Sequence, residues 1–325
     1  MTRKMLLTLP VVLALTLAAC GGEAASDEDG TTTVRVAVIP TVTKAPMYLA
    51  IEKGFFADEG LQVEPEVVQN GAAVTAAVTS GSAEFASSAL VPTVVAIEKG
   101  VPVRIVTTAA STSSPADATS PYGDAVLLVG KDSAVDSVAD LNGKTIAVNA
   151  LKAGVELAVR GAVDRLGGDS STMKFLVVPF PEMATALEQG QVDAIAPVEP
   201  FVSASVAAGH RPLQHTFPFD PAQQPEFVNS VYFTSAKYAG ENASVVERFT
   251  RAIEKANRYA AENPDEVRQQ LPQYTGVKPE VAAKIALPDY PPTLNTDAYQ
   301  AQMEMMKHYG FIASVPGPDK LYVAR

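Results

Sequence analysis

One cysteine, no tryptophan and three histidines stand in 325 residues. A lone Cys20 cannot close an internal disulfide, and it excludes cysteine-based metal sites. His210 and His215 flank a turn-like Arg211-Pro212, and His308 stands far along the chain. No carboxylate cluster completes a metal site around any of them, so neither a metal nor a cofactor is expected. Basic residues are outnumbered, 25 against 36 acidic ones, for a formal charge of −11. Such an acidic body disfavours nucleic acid and a polybasic membrane face. Catalytic spacings are missing as well. Gly143-Lys144-Thr145 is half of a phosphate loop, but Val138 stands where the first glycine belongs and a strand follows. Ser171-Thr172-Met173-Lys174 has a Ser-x-x-Lys spacing, yet it runs into a strand and lacks companion motifs. No Gly-x-Ser-x-Gly occurs. The chain is not expected to be an enzyme.

What is present begins at the N-terminus. Arg3 and Lys4 precede an apolar run, Met5 to Leu17, that is short for a membrane span, and Leu17-Ala18-Ala19 then leads into Cys20. A positive start, a short apolar core and small residues describe an export signal over residues 1–19. The cysteine directly after them resembles the bacterial lipobox, which implies lipidation of Cys20 and an extracytoplasmic protein tied to the cell membrane. Residues 20–32 carry Gly, Ala, Ser, Thr, Asp and Glu with no large apolar side chain, the composition of a flexible tether. The remaining chain, about 300 residues, suffices for two cores.

Beyond the tether, strands and helices alternate. Val34 to Ile39 is a β-branched run ended by Pro40, and a helix through Tyr48 and Leu49 reaches Gly54. Val63–Val68, Glu84–Ala86 and Val103–Thr107 read as further strands, with helices between them. Thr107 to Asp124 is polar and breaks the pattern, as a junction between two bodies does. Alternation restarts at Ala125–Val129 and continues through Thr145–Val148, Lys174–Val178 and Asp193–Ala196. The halves echo each other: Gly81-Ser82-Ala83-Glu84-Phe85-Ala86 matches Gly190-Gln191-Val192-Asp193-Ala194-Ile195, each a helix stop, an acidic residue and a buried strand. After Val231–Thr234 the chain is helical to its end. An α/β fold of two lobes follows, the second inserted into the first: residues 33–124 and 237–325 form lobe 1, and 125–236 form lobe 2.

Three motifs carry a family resemblance. Pro46 through Leu61 (PMYLAIEKGFFADEGL), Asp140 through Val148 (DLNGKTIAV), and Val192-Asp193-Ala194 with Glu199-Pro200-Phe201 resemble, in the same order, the nitrate/sulfonate/taurine group of ABC-transporter binding proteins. That group includes binders of thiamine-precursor pyrimidines. The resemblance implies a periplasmic-binding-protein-like clamshell of type II that closes by hinge motion around one small solute. It also implies a monomer that meets permease and ATPase subunits of an importer. Pyrimidine binders of the family usually carry histidine where this chain has Thr43-Lys44, a departure that lowers the pyrimidine reading and leaves it as the alternative. Enzymes of the same fold remain as a remote alternative; the pyrimidine synthases among them need a cysteine-rich segment and an active-site histidine.

In open α/β sheets, ligands collect at the carboxyl ends of strands, where helix starts expose N–H groups suited to anionic oxygens. Those positions here nominate Thr41, Lys44, Asn70, Gly71, Ser87, Ser88, Asn149 and Glu199. Lys44 supplies positive charge, although a lysine there reads first as solvated surface. Ser87, Ser88 and Asn149 offer hydroxyls and an amide, or else cap turns and helices. Glu199 can line the cleft and hold an ammonium or N–H group, or it can support the helix that Pro200 begins.

Overall fold

The computed structural model describes residues 31–68, 71–112, 125–216 and 226–324. Cys20, most of the tether and Asn70 lie outside them. Ten strands fall into two five-stranded sheets. β1 (Thr32–Val38), β2 (Leu61–Val67), β3 (Phe85–Ala89), β4 (Val103–Thr112) and β10 (Phe227–Ser235) form the first, in the order β2-β1-β3-β10-β4. β5 (Val126–Val129), β6 (Thr145–Val148), β7 (Lys174–Val177), β8 (Ala194–Ile195) and β9 (Arg211–His215) form the second, in the order β7-β6-β8-β5-β9. In each sheet three parallel strands are followed by one that runs antiparallel: β10 in the first, β5 in the second.

Two expectations are corrected. Thr32 is the first residue of β1, paired with Leu61, rather than the end of the tether. The strand Phe227–Ser235 belongs to the first sheet, between β3 and β4, although the sequence placed it in the second lobe. An apolar run shows that a strand is buried but not which sheet takes it. Phe227 pairs with Thr112, so the outgoing and returning chain lie side by side.

The internal echo has a structural cause. Gly81 and Gly190 end helices with φ of 79° and 67°, the left-handed region that glycine enters without strain. The acidic residue after each then accepts a backbone N–H from the neighbouring parallel strand. Glu84 Oε2 accepts from Arg35 N at 2.7 Å, and Asp193 Oδ2 accepts from Thr145 N at 2.8 Å. Each carboxylate satisfies a donor that the short central strand leaves open.

Helices cover both faces of each sheet. One core of lobe 1 gathers Phe85, Tyr232 and Phe249 under the long amphipathic helix Ala243–Glu262, with Phe85 and Phe249 stacked at 4.0 Å. The helix Gly154–Arg165 is shared. Val155, Val159 and Val163 pack in the core of lobe 2, while Leu157, Ala158 and Ala162 are buried with Val91, Met303 and Met306 of lobe 1. Met303 and Met306 are buried and fill this core.

Strand direction sets where the lobes meet. β4 is parallel to β1 and β3, so the chain leaves the first sheet at their carboxyl ends. β5 begins at the carboxyl end of β8: Leu128 pairs with Ile195, and the bridge Ala125–Val198 extends the pairing. The carboxyl ends of both parallel sets therefore face the crossings.

Candidate functional site

Lys44 closes the short turn Val42–Lys44 after β1 and leads into the helix Ala45–Glu52. The reading of a solvated surface lysine is corrected, because its exposure is 3 %. Its ammonium donates to Thr43 Oγ1 at 2.9 Å, and that oxygen lies 2.9 Å from Thr41 Oγ1, which is exposed. No acidic side chain pairs with Lys44 among the described residues. Burial alone pushes the ammonium down to about 7. The turn is held from behind by Tyr290, whose phenol donates to the Val42 carbonyl at 3.0 Å.

Gly71 and Ser88 come together. Gly71 opens the helix Gly71–Ser80, and a Cβ placed on it would lie 3.8 Å from Ser88 Oγ. Ser87 does not join them: it is 1 % exposed inside β3, and its hydroxyl donates to the Val231 carbonyl at 2.9 Å. Consecutive strand residues point to opposite faces, so only one of the two serines can meet the helix start.

In lobe 2, Asn149 follows β6. The capping role is corrected: the helix begins at Gly154 with Ala153 at its N-cap and no side-chain cap. The Asn149 Oδ1 is buried without a hydrogen-bond partner among the described residues. The same loop holds a second cation, Lys152, whose ammonium reaches the Gly310 carbonyl of lobe 1 at 3.2 Å. Glu199 is 6 % exposed, and its carboxylate accepts Ser203 N at 3.1 Å and Ser203 Oγ at 2.7 Å. It supports the start of the helix Phe201–Ala207, and Pro200 occupies the N-cap rather than the first helical position.

Sequence reasoning missed Glu226. Standing at the entry to β10, it is 8 % exposed; Oε2 accepts from Asn295 Nδ2 at 2.8 Å, while Oε1 is buried and unpartnered among the described residues. The signal available was an acidic residue directly before the buried strand Phe227–Ser235. Ser230 was missed too. It sits at an irregularity in β10 with its hydroxyl buried and unpartnered among the described residues.

Two α/β lobes, joined by two adjacent crossings and opening at the carboxyl ends of their strands, define the fold of the periplasmic binding proteins. The alkanesulfonate-binding protein of Xanthomonas axonopodis, solved with MOPS bound, superposes with a TM-score of 0.66 at 18% identity, over 90% of this chain and 96% of its own. The periplasmic nitrate-binding protein of Synechocystis gives 0.66 at 17%, over 87% and 83%. The aliphatic sulphonate binding protein of Escherichia coli gives 0.69 at 18%, over 90% and 92%. These likenesses show the fold. In sequence, the chain is similar to the formylaminopyrimidine-binding protein of Halalkalibacterium halodurans, 28% identical over 261 residues, 79% of this chain and 75% of that protein. The model of the NMT1/THI5 like family matches residues 42–267, and the chain belongs to that family.

Proposed function

We propose that this protein is the extracytoplasmic solute-binding component of an ABC importer. It takes a small polar solute of the nitrate, sulfonate or taurine class into the interlobe cleft and delivers it to the permease, whose ATPase partners drive uptake. One observation carries the reading: the carboxyl ends of both sheets face the two crossings, and buried polar groups that follow those strands or stand at a crossing have hydrogen-bonding capacity to spare. Lys44, the Asn149 Oδ1 and the Glu226 Oε1 are such groups, and a buried polar group without a partner is costly until something binds it. That the relatives named above are binding proteins supports binding rather than turnover. Lipidation at Cys20 would hold the protein at the membrane surface. Intact mass of membrane-extracted protein tests that part, an unmodified Cys20 counting against it.

The relative from Halalkalibacterium halodurans supports a second reading, in which the solute is a formylaminopyrimidine or a similar heterocycle. A thermal-shift and calorimetry panel of taurine, ethanesulfonate, nitrate and formylaminopyrimidine separates the two. A ligand at 100 times its dissociation constant adds about 2.7 kcal/mol of stability. Stabilisation by the pyrimidine alone moves the solute to the second class, and turnover of any of the four overturns the binding role.

A further inference from the structure

We infer that the solute carries a singly charged oxyanion, a sulfonate or a carboxylate, and that this group seats on the Lys44 ammonium; the inference rests on the solute-binding reading above. The ammonium has three donors and uses one, on the Thr43 hydroxyl. Its side chain is 3 % exposed, so water does not supply the other two as it would on a surface. Around a buried charge a protein normally places a counter-ion, and among the described residues none pairs with this one. The position is the carboxyl end of β1, on the side from which the chain crosses to the second lobe.

The hydroxyl chain gives the group a route outward. Lys44 Nζ, Thr43 Oγ1 and Thr41 Oγ1 follow one another at 2.9 Å each, ending on an exposed residue. An oxyanion has three or two oxygens to place, and this row offers the ammonium and two hydroxyls side by side. Nearby at the ends of β2 and β3, Gly71 leaves open backbone beside Ser88 Oγ. Hydroxyls and one unengaged cation suit a monoanion better than a dianion, because the cation of the facing loop, Lys152, is held on the Gly310 carbonyl. The buried acceptors Asn149 Oδ1 and Glu226 Oε1 reject a further acidic group and accept N–H or O–H from the remainder of the solute.

Calorimetry with wild type and Lys44→Met tests this, using ethanesulfonate, taurine, propionate and nitrate, with ethyl methyl sulfone as the uncharged counterpart and formylaminopyrimidine as the heterocycle. Methionine keeps a stem of similar length and removes the charge, so the variant folds at least as well as wild type; its unfolding midpoint is measured alongside. The expected result is one site for a sulfonate or carboxylate in wild type, no binding of the sulfone, and at least about a tenfold loss of anion affinity in the variant. Equal anion affinity in both proteins, or no binding of any anion, overturns the inference. Formylaminopyrimidine binding equally to both also overturns it while leaving the solute-binding role standing.

Discussion

The phenol of Tyr309 donates to Asp164 Oδ2 at 2.8 Å, tying the C-terminal helical region of lobe 1 to the first helix of lobe 2. The carboxylate is held in place by lobe 2 itself, where Oδ1 accepts Ser170 N at 2.6 Å and Oδ2 accepts Ser170 Oγ at 2.9 Å. Burial first, and the bond to Asp164 second, push the phenol above its ordinary range. Lys152 reaches Gly310 beside it. Together with Leu157, Ala158 and Ala162, buried against lobe 1, these contacts make a seam that persists apart from the two crossings. Tyr309→Phe removes one charge-assisted bond whose acceptor is partly in water. It should lower the urea unfolding free energy of the ligand-free protein by about 1 kcal/mol. An unchanged midpoint and slope would mean that the bond contributes nothing to joining the lobes.

A second prediction concerns packing within lobe 2. A Cβ on Gly168 would stand 2.5 Å from Val163 Cγ1 and 3.2 Å from the carbonyl oxygens of Val138 and Val163. Val163 is fully buried, so the valine has no room to turn aside. Gly168→Ala should cost about 1–3 kcal/mol in denaturant unfolding, the scale of overpacking. Gly167→Ala next to it meets no atom but carries φ of 87°, so its cost would be backbone strain instead.

Much of this architecture was legible because it is written in short-range pattern. β-branched runs gave the strands, helical spacing gave the terminal helices, and the paired Gly81/Glu84 and Gly190/Asp193 marked equivalent corners of the two sheets. Longer-range facts were not legible. Nothing in Phe227–Ser235 distinguishes a strand of one sheet from a strand of the other. Phe85, Ala86 and Ser87 of β3 are buried in succession, so alternation could not show that Ser87 bonds within the sheet while Ser88 stands towards the helix start. Lys44 looked solvated because a lysine at a helix entry usually is. The turn that carries it is packed by chain that arrives more than two hundred residues later, among it the segment carrying Tyr290.

Glu199 offers a prediction that separates folding from binding. Its carboxylate serves the first turn of the helix Phe201–Ala207 through Ser203. Glu199→Ala leaves that N–H and hydroxyl without their acceptor, and should cost about 0.5–2 kcal/mol, as the loss of a cap does. Affinity for a simple anion such as ethanesulfonate should stay within about twofold, because the group it needs stands on the other lobe. A tenfold loss confined to taurine would show instead that the carboxylate meets the ammonium of the solute.

The last prediction concerns pH and the same buried ammonium. In the unfolded chain Lys44 titrates near 10.5, and in the folded protein burial lowers it to about 7. Between those values the unfolded chain holds a proton that the folded protein has released, so stability rises with pH across that window. Below about 7 both states are protonated, and the full cost of burying the charge is present; above 10.5 neither is, and the cost vanishes. Each pH unit inside the window adds at most about 1.4 kcal/mol from this group. Burial holds the Tyr48 and Tyr274 phenols above their ordinary range, so they give the opposite slope only as pH approaches 10, at the top of this window and equally in the Lys44 variant. Lys44→Met should therefore stabilise the protein at pH 6 and converge with wild type as pH approaches 10.5. An anion bound at Lys44 reverses the shift and takes up a proton above pH 7. Anion affinity should accordingly fall with rising pH in wild type, by up to about tenfold per unit. Calorimetry at pH 8 in buffers of different ionisation enthalpy measures that proton directly, and a binding enthalpy that does not change with the buffer would show that Lys44 stays neutral in the complex.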